Sequence, residues 1–211
     1  VMPVKDGFTY TTHDGIISQV SQPVDCPPET TLKNIQSHAM IKLKQDFLDG
    51  NKQIKKAKHD DLVVALTLTV QNYFTARYLM LSNDMTNIIN GKFNMKKQLN
   101  QNMLGILARL KGWTEMMVEV KSKEKLSKIR SMISVDLHMR EKVLKLIKLY
   151  RSSGEDAVTV EWYNSLKYTL TESKEIQVSF QDKSCNHGYE EYAQKKIKFI
   201  TNTSLDQTTL S

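Results

Sequence analysis

A chain of 211 residues is long enough to bury a substantial core and short enough to do so as one domain. Lys and Arg outnumber Asp and Glu by 30 to 23, a formal charge of +7, but the basic residues are scattered among acids, which suits a solubilising surface better than one anion-binding block. Four prolines and eight glycines fall mostly between apolar-periodic segments, so long helices are expected, and ten methionines supply gap-filling helix formers.

Residues 1–27 read differently from the rest. Gly7–Thr12 alternates apolar or aromatic with hydroxyl residues, His13-Asp14-Gly15 is a turn signal, and Ile16–Val20 returns as a partner strand. Two strands alone are marginal in water. The arm's Phe8, Tyr10, Ile16, Ile17 and Val20 are therefore expected to bury against the chain's own bundle or a partner. A joint made of Pro23, Pro27 and Pro28 favours projection towards a partner.

Pro28-Glu29 suits a first helical turn, and Leu32, Ile35, Ala39, Leu43 and Phe47 form one stripe, with a stop expected at Asp49-Gly50-Asn51. Lys52, Lys55, Lys56 and Lys58 form the densest basic cluster, ahead of Asp60 and Asp61 at the start of the next helix. That helix carries Leu62, Leu66, Val70, Tyr73 and Phe74 on one side and Val63, Val64, Leu68 and Leu79 on the other. Being apolar nearly all round, the segment 60–82 is expected at the centre, with Leu66 and Phe74 in the core. Gln71, Asn72 and Arg77 leave fewer than the roughly twenty apolar residues of a membrane span.

Asn90-Gly91 is a stop signal, with Asn83-Asp84 as an earlier alternative. Met95, Leu99, Met103, Ile106, Leu107 and Leu110 predict a third helix capped by Gly112, its polar face being Lys96, Lys97, Gln98, Gln101 and Arg109. Trp113–Val120 fits the start of another helix or a short apolar strand, and Glu115 and Glu119, four apart, favour the helix. The longest pattern, from about Lys121 to Arg151, aligns Leu126, Ile129, Ile133, Leu137, Leu144 and Ile147. Asp136 and Arg140 break a strict heptad, which favours a globular bundle over a coiled coil.

Ser152-Ser153-Gly154 is expected to end that helix, and a fifth starts near Asp156, aligning Trp162, Leu166 and Leu170 and fading after Ser173. Ile176, Val178 and Phe180 alternate as a strand or continue the helix. Cys185-Asn186-His187-Gly188 reads as a turn, and Tyr189, Tyr192, Ala193, Ile197 and Ile200 as a short last helix. The expected fold is all-α: an elongated bundle of about five amphipathic helices over 28–200, with an extended or hairpin arm over 1–27 and a disordered tail over 201–211.

Few residues combine into chemistry. Lys58-His59-Asp60-Asp61-Leu62-Val63-Val64-Ala65-Leu66 resembles the late acidic motif of phage terminase nuclease domains. The resemblance implies that Asp60 or Asp61 helps bind catalytic metal, and it covers residues 58–66 alone; the family's other motifs are absent. A two-metal site needs further carboxylates on strands of a central sheet.

Cys26 and Cys185 allow one long-range disulfide or two buried thiols, and with His13 and His187 they have the ligand chemistry of a zinc site. His38, His59 and His138 stand alone on helices. There is no P-loop, dinucleotide fingerprint or RNA-binding motif, so neither a cofactor nor catalysis is expected. The reading is a non-enzymatic interaction or assembly protein that binds a protein partner or itself, in a secretion, surface or virion-type system. The sequon Asn202-Thr203-Ser204 leans towards an extracytoplasmic location. The alternative is a basic helical domain binding nucleic acid, or an anionic surface, through Lys52, Lys55, Lys56, Lys58, Lys96, Lys97 and Arg109.

Overall fold

The structure, a computed structural model, describes residues 2–4, 7–11, 17–21, 28–56, 62–91 and 94–187; up to residue 36 only the backbone is described. The arm forms a three-stranded antiparallel sheet of β1 (Met2–Val4), β2 (Gly7–Thr11) and β3 (Ile17–Ser21), in that order. The expected hairpin is its β2–β3 half, which pairs Phe8 with Val20 and Thr11 with Ile17. Ile16 lies outside the described residues.

Among the described residues five helices follow: α1 (Pro28–Lys56), α2 (Leu62–Thr67), α3 (Val70–Ile89), α4 (Met95–Glu119) and α5 (Lys123–Tyr163). The chain is mostly helical, but it is not all-α. Beyond α5 a second antiparallel sheet runs β4 (Lys167–Leu170), β5 (Ile176–Phe180), β6 (Lys183–Asn186). No helix among the described residues is long and apolar enough to cross a membrane.

The central segment is where its composition places it. α3 touches α1, α4, α5 and β4, and Val70, Tyr73, Ala76, Tyr78, Leu79, Leu81, Met85 and Ile88 are all buried on it. The expected single helix is nevertheless two. Thr69 is extended (φ −65°, ψ 153°), and its hydroxyl accepts a hydrogen bond from the Asn72 amide at 3.1 Å, capping α3. Thr67 turns its own hydroxyl back to the Val64 carbonyl at 2.7 Å. Two hydroxyl residues flanking Leu68 thus give the backbone local alternatives to continuous helix. The break also changes the core, because Ala65 is buried while Leu66 and Phe74 are half-buried.

Two glycines expected to end helices lie inside them. A Cβ on Gly50 would sit 2.3 Å from Leu68 Cδ2, 3.3 Å from its Cδ1 and 3.4 Å from its Cγ. One on Gly112 would sit 2.4 Å from Leu62 Cδ1. Leu62, which opens α2, and Leu68, just after it, therefore press onto bare backbone of α4 and α1. Gly91, by contrast, ends α3 as expected, with φ +71° and its amide donating to the Ile88 carbonyl at 2.9 Å. At Gly154 (φ 82°, ψ −166°) the helical path of α5 breaks and resumes. The expected stop is a kink there, in backbone geometry open essentially to glycine alone.

The predicted fifth helix, drawn through Leu166 and Leu170, stops at Tyr163. The Trp162 side chain is buried, but Leu166 and Leu170 are exposed, and the buried residues of the next stretch are Tyr168 and Ile176, paired strand partners of Val178 and Leu170. Tyr168 donates its amide to the Ser82 hydroxyl at 2.9 Å, fixing the sheet to α3. Lys44 on α1 pairs with Glu175 in the turn before β5. Cys185 and Asn186, read as a turn, belong to β6; the segments 189–200 and 201–211 lie outside the described residues.

The two close approaches differ in how they can relax. At Gly50 the whole isopropyl group of buried Leu68 must move, whereas at Gly112 a rotation of half-exposed Leu62 clears one methyl. Overpacking costs about 1–3 kcal/mol and the helix gains roughly 0.5–1 from Ala over Gly. Gly50→Ala is expected to destabilise by about 1 kcal/mol and Gly112→Ala to be neutral or stabilising. Urea denaturation midpoints measure both, and equal losses would contradict this packing.

Candidate functional site

Charge in the described core concentrates at Asp136, which is fully buried between Val135 and Met139 on α5. Its Oδ1 accepts from Arg109 Nε at 3.0 Å and Nη2 at 2.9 Å. Its Oδ2 accepts from the Tyr73 hydroxyl at 2.7 Å and the Trp113 indole at 2.9 Å. Both oxygens thus take two donors each, from α3 and α4. Tyr73 and Trp113 also meet edge to face, centroids 6.0 Å apart.

The charges follow from this arrangement. Burial disfavours the Arg109 cation, but Asp136 overrides that and holds its pKa above the ordinary value. Burial, then the Asp136 charge, pushes the Tyr73 phenol up, so it stays a donor. Arg77, one turn along α3, is buried without a carboxylate of its own. Its Cζ stands 5.0 Å from the Tyr73 ring centroid and its Nη1 reaches Met80 Sδ at 4.0 Å, while its Nε has no hydrogen-bond partner. Burial lowers its pKa. Two guanidinium groups therefore share one carboxyl group, leaving the cluster with one positive charge in excess.

Such a cluster is poorly suited to catalysis. Asp136 has both oxygens engaged by two donors each, which leaves it no lone pair to direct at a substrate. A cleft of roughly 470 Å³ lies elsewhere, between the end of α3, the start of α4 and Glu155, Asp156 and Thr159 of α5; its described titratable groups are those two carboxyls.

The residues singled out in the sequence disperse. Arg109 does not belong to a basic surface, because it is spent on Asp136. Lys52, Lys55 and Lys56 are exposed at the end of α1, close to the α2 segment that leads into α3. Lys96 and Lys97 are exposed in the first turn of α4, beyond the other end of α3. A 20-residue helix separates the two groups, about 30 Å. Lys58 lies outside the described residues, as do His13, Cys26, His59, Asp60 and Asp61. Leu62–Leu66, the rest of the terminase-like motif, belong to α2.

Cys185 is exposed on β6 and makes no disulfide among the described residues, its candidate partner Cys26 lying outside them. No group of three metal-ligating side chains occurs among the described residues. His138 stacks on Tyr78, centroids 6.1 Å apart, and His187 meets Tyr168 edge-on at 6.1 Å. His38 is half-buried on α1.

Sequence reasoning missed the Asp136 cluster by taking Arg109 as polar face and Asp136 as a heptad fault. The available signal was charge inside apolar runs, Leu107–Leu110 and Ile133–Leu137, since buried charges need partners. No known protein family and no curated protein matches the chain in sequence.

Removing the carboxylate strands a buried cation, a change that typically costs about 3–5 kcal/mol. Asp136→Asn is expected to fall in that range. Arg77→Met removes an under-partnered cation and its repulsion from Arg109, and is expected to leave stability unchanged or raise it. Chemical denaturation of both variants checks the pair. An unchanged midpoint for Asp136→Asn, or a large loss for Arg77→Met, would refute this account.

Proposed function

We propose that the chain is a non-enzymatic interaction or assembly protein, a helical scaffold presenting surface to a protein partner or to further copies of itself. The observation that carries this reading is the outward face of α4. Leu104, Leu107 and Val118 are 65%, 44% and 88% exposed, and helical spacing puts them on one side, with the Lys111–Glu115 pair between them. Large apolar side chains aligned and left in water suit a covering partner.

The interior supports the same reading. Its principal carboxylate is fully engaged in holding helices together, which leaves the described core without a nucleophile–base pair. The arm adds a sheet whose edge strands offer backbone for pairing, in keeping with strand addition by a partner. A secretion, surface or virion-type assembly is the setting proposed.

The nucleic-acid alternative is weakened by the wide separation of Lys52, Lys55 and Lys56 from Lys96 and Lys97 and by the loss of Arg109 from that surface. What remains is two small basic groups, each short of a continuous phosphate track.

Sedimentation velocity on the full chain tests the proposal. Self-association is expected at micromolar concentration, reduced by Leu104→Glu/Val118→Glu and by deletion of residues 1–22, with little change in melting for either. A monomer at every concentration would remove self-assembly. Oligonucleotide binding that weakens steeply between 50 and 200 mM salt would replace the reading with the nucleic-acid alternative.

A further inference from the structure

Lys142 sits on α5 against an aromatic wall. Its Nζ lies 4.8 Å from the centroid of the Tyr78 ring. Tyr78 packs with Phe74 at 4.5 Å, Tyr168 at 5.3 Å and His138 at 6.1 Å, so α3, β4 and α5 all contribute to the wall. The carboxylate that acts on Lys142 is Glu161, in the part of α5 beyond the kink. It is already held by Lys145 at 2.7 Å. No hydrogen bond or ion pair is made by the Lys142 ammonium among the described residues, though its side chain is half-buried and not sealed.

We propose that Lys142 is an amine nucleophile, the described lysine that small acyl donors such as acyl phosphates or acyl thioesters modify first at neutral pH. With acetyl phosphate, the neutral Nζ adds to the carbonyl carbon. A C–N bond forms as the C–O bond to phosphate breaks, phosphate leaves as the anion, and the surplus amine proton passes to water. The product is an uncharged amide lying over Tyr78.

The electrostatics support the geometry. The Tyr78 face attracts an ammonium group, but it also displaces the water that would solvate one. Burial lowers the amine and Lys145 adds to the lowering; Glu161 opposes them without cancelling, and the amine stands at about 8. Around pH 7.4 about a fifth of such a group is neutral, against about a thousandth of an ordinary lysine. Nucleophilicity falls with basicity, so the gain in rate is smaller than the roughly 200-fold gain in neutral fraction.

Competitive labelling of the full chain with trace acetyl phosphate, read by peptide mass spectrometry from pH 6.5 to 10, tests this. Lys142 is expected to label several times faster than exposed lysines such as Lys111 near pH 7.5, with an apparent pKa of about 8. The lead should vanish in 6 M urea. In Lys145→Met, Glu161 becomes free to pair with Lys142, so labelling should slow and its pH profile move up. Lys142 labelling no faster than Lys111, a lead that persists in urea, or a profile unmoved by Lys145→Met would each overturn the proposal.

Discussion

At the side chain of Asp136 three helices are required to agree. A carboxyl group buried without partners is heavily penalised, and only four well-aimed donors make its position tolerable. Those donors come from α3 and α4, so the rotation of each helix about its own axis is fixed relative to α5. Apolar contacts alone would allow many such rotations at similar energy; the hydrogen bonds are directional and select one.

Around that constraint the core is assembled from complementary shapes. Leu62 at the start of α2 and Leu68 just beyond its end occupy space freed by glycines on α4 and α1, so this six-residue helix is gripped from both sides. The Lys128 ammonium reaches the Leu66 carbonyl at 2.7 Å, near the end of α2, where helical carbonyls lack partners. On the far side of α3, Tyr78 and Phe74 receive Tyr168 from the sheet, at 5.3 and 6.0 Å between centroids, and join it to the same interior.

Much of this was legible in the residues. The apolar stripes located α1, α3, α4 and α5, the all-round apolar character of the central segment placed α3 innermost, and Asn90-Gly91 marked its end. What periodicity could not show was three-dimensional proximity. Gly50 and Gly112 look like stops because glycine is usually read for its backbone freedom, yet here each serves by lacking a side chain. Leu166 and Leu170 fit a helical spacing after Trp162, whereas burial of Tyr168 and Ile176 demanded strands. Arg109 looked like surface because its partner lies 27 residues away on another helix. The assembly reading rests on exposure, which no linear pattern reports.

The tertiary bonds also differ in how much chain each must close. The Asp136 bonds to Trp113 and Arg109 span 23 and 27 residues and the bond to Tyr73 spans 63, while the Ser82–Tyr168 bond spans 86 and the Lys44–Glu175 contact 131. Loop entropy grows with the logarithm of length, so the longest of these carries about 1.5 kcal/mol more closure cost than the shortest. On loop entropy alone the α4–α5 contacts are the cheapest to close, and they bring three of the four donors to Asp136, with Tyr73 of α3 supplying the fourth. The buried carboxylate is thus served mostly by the partners nearest to it along the chain, and the longer closures add the outer elements.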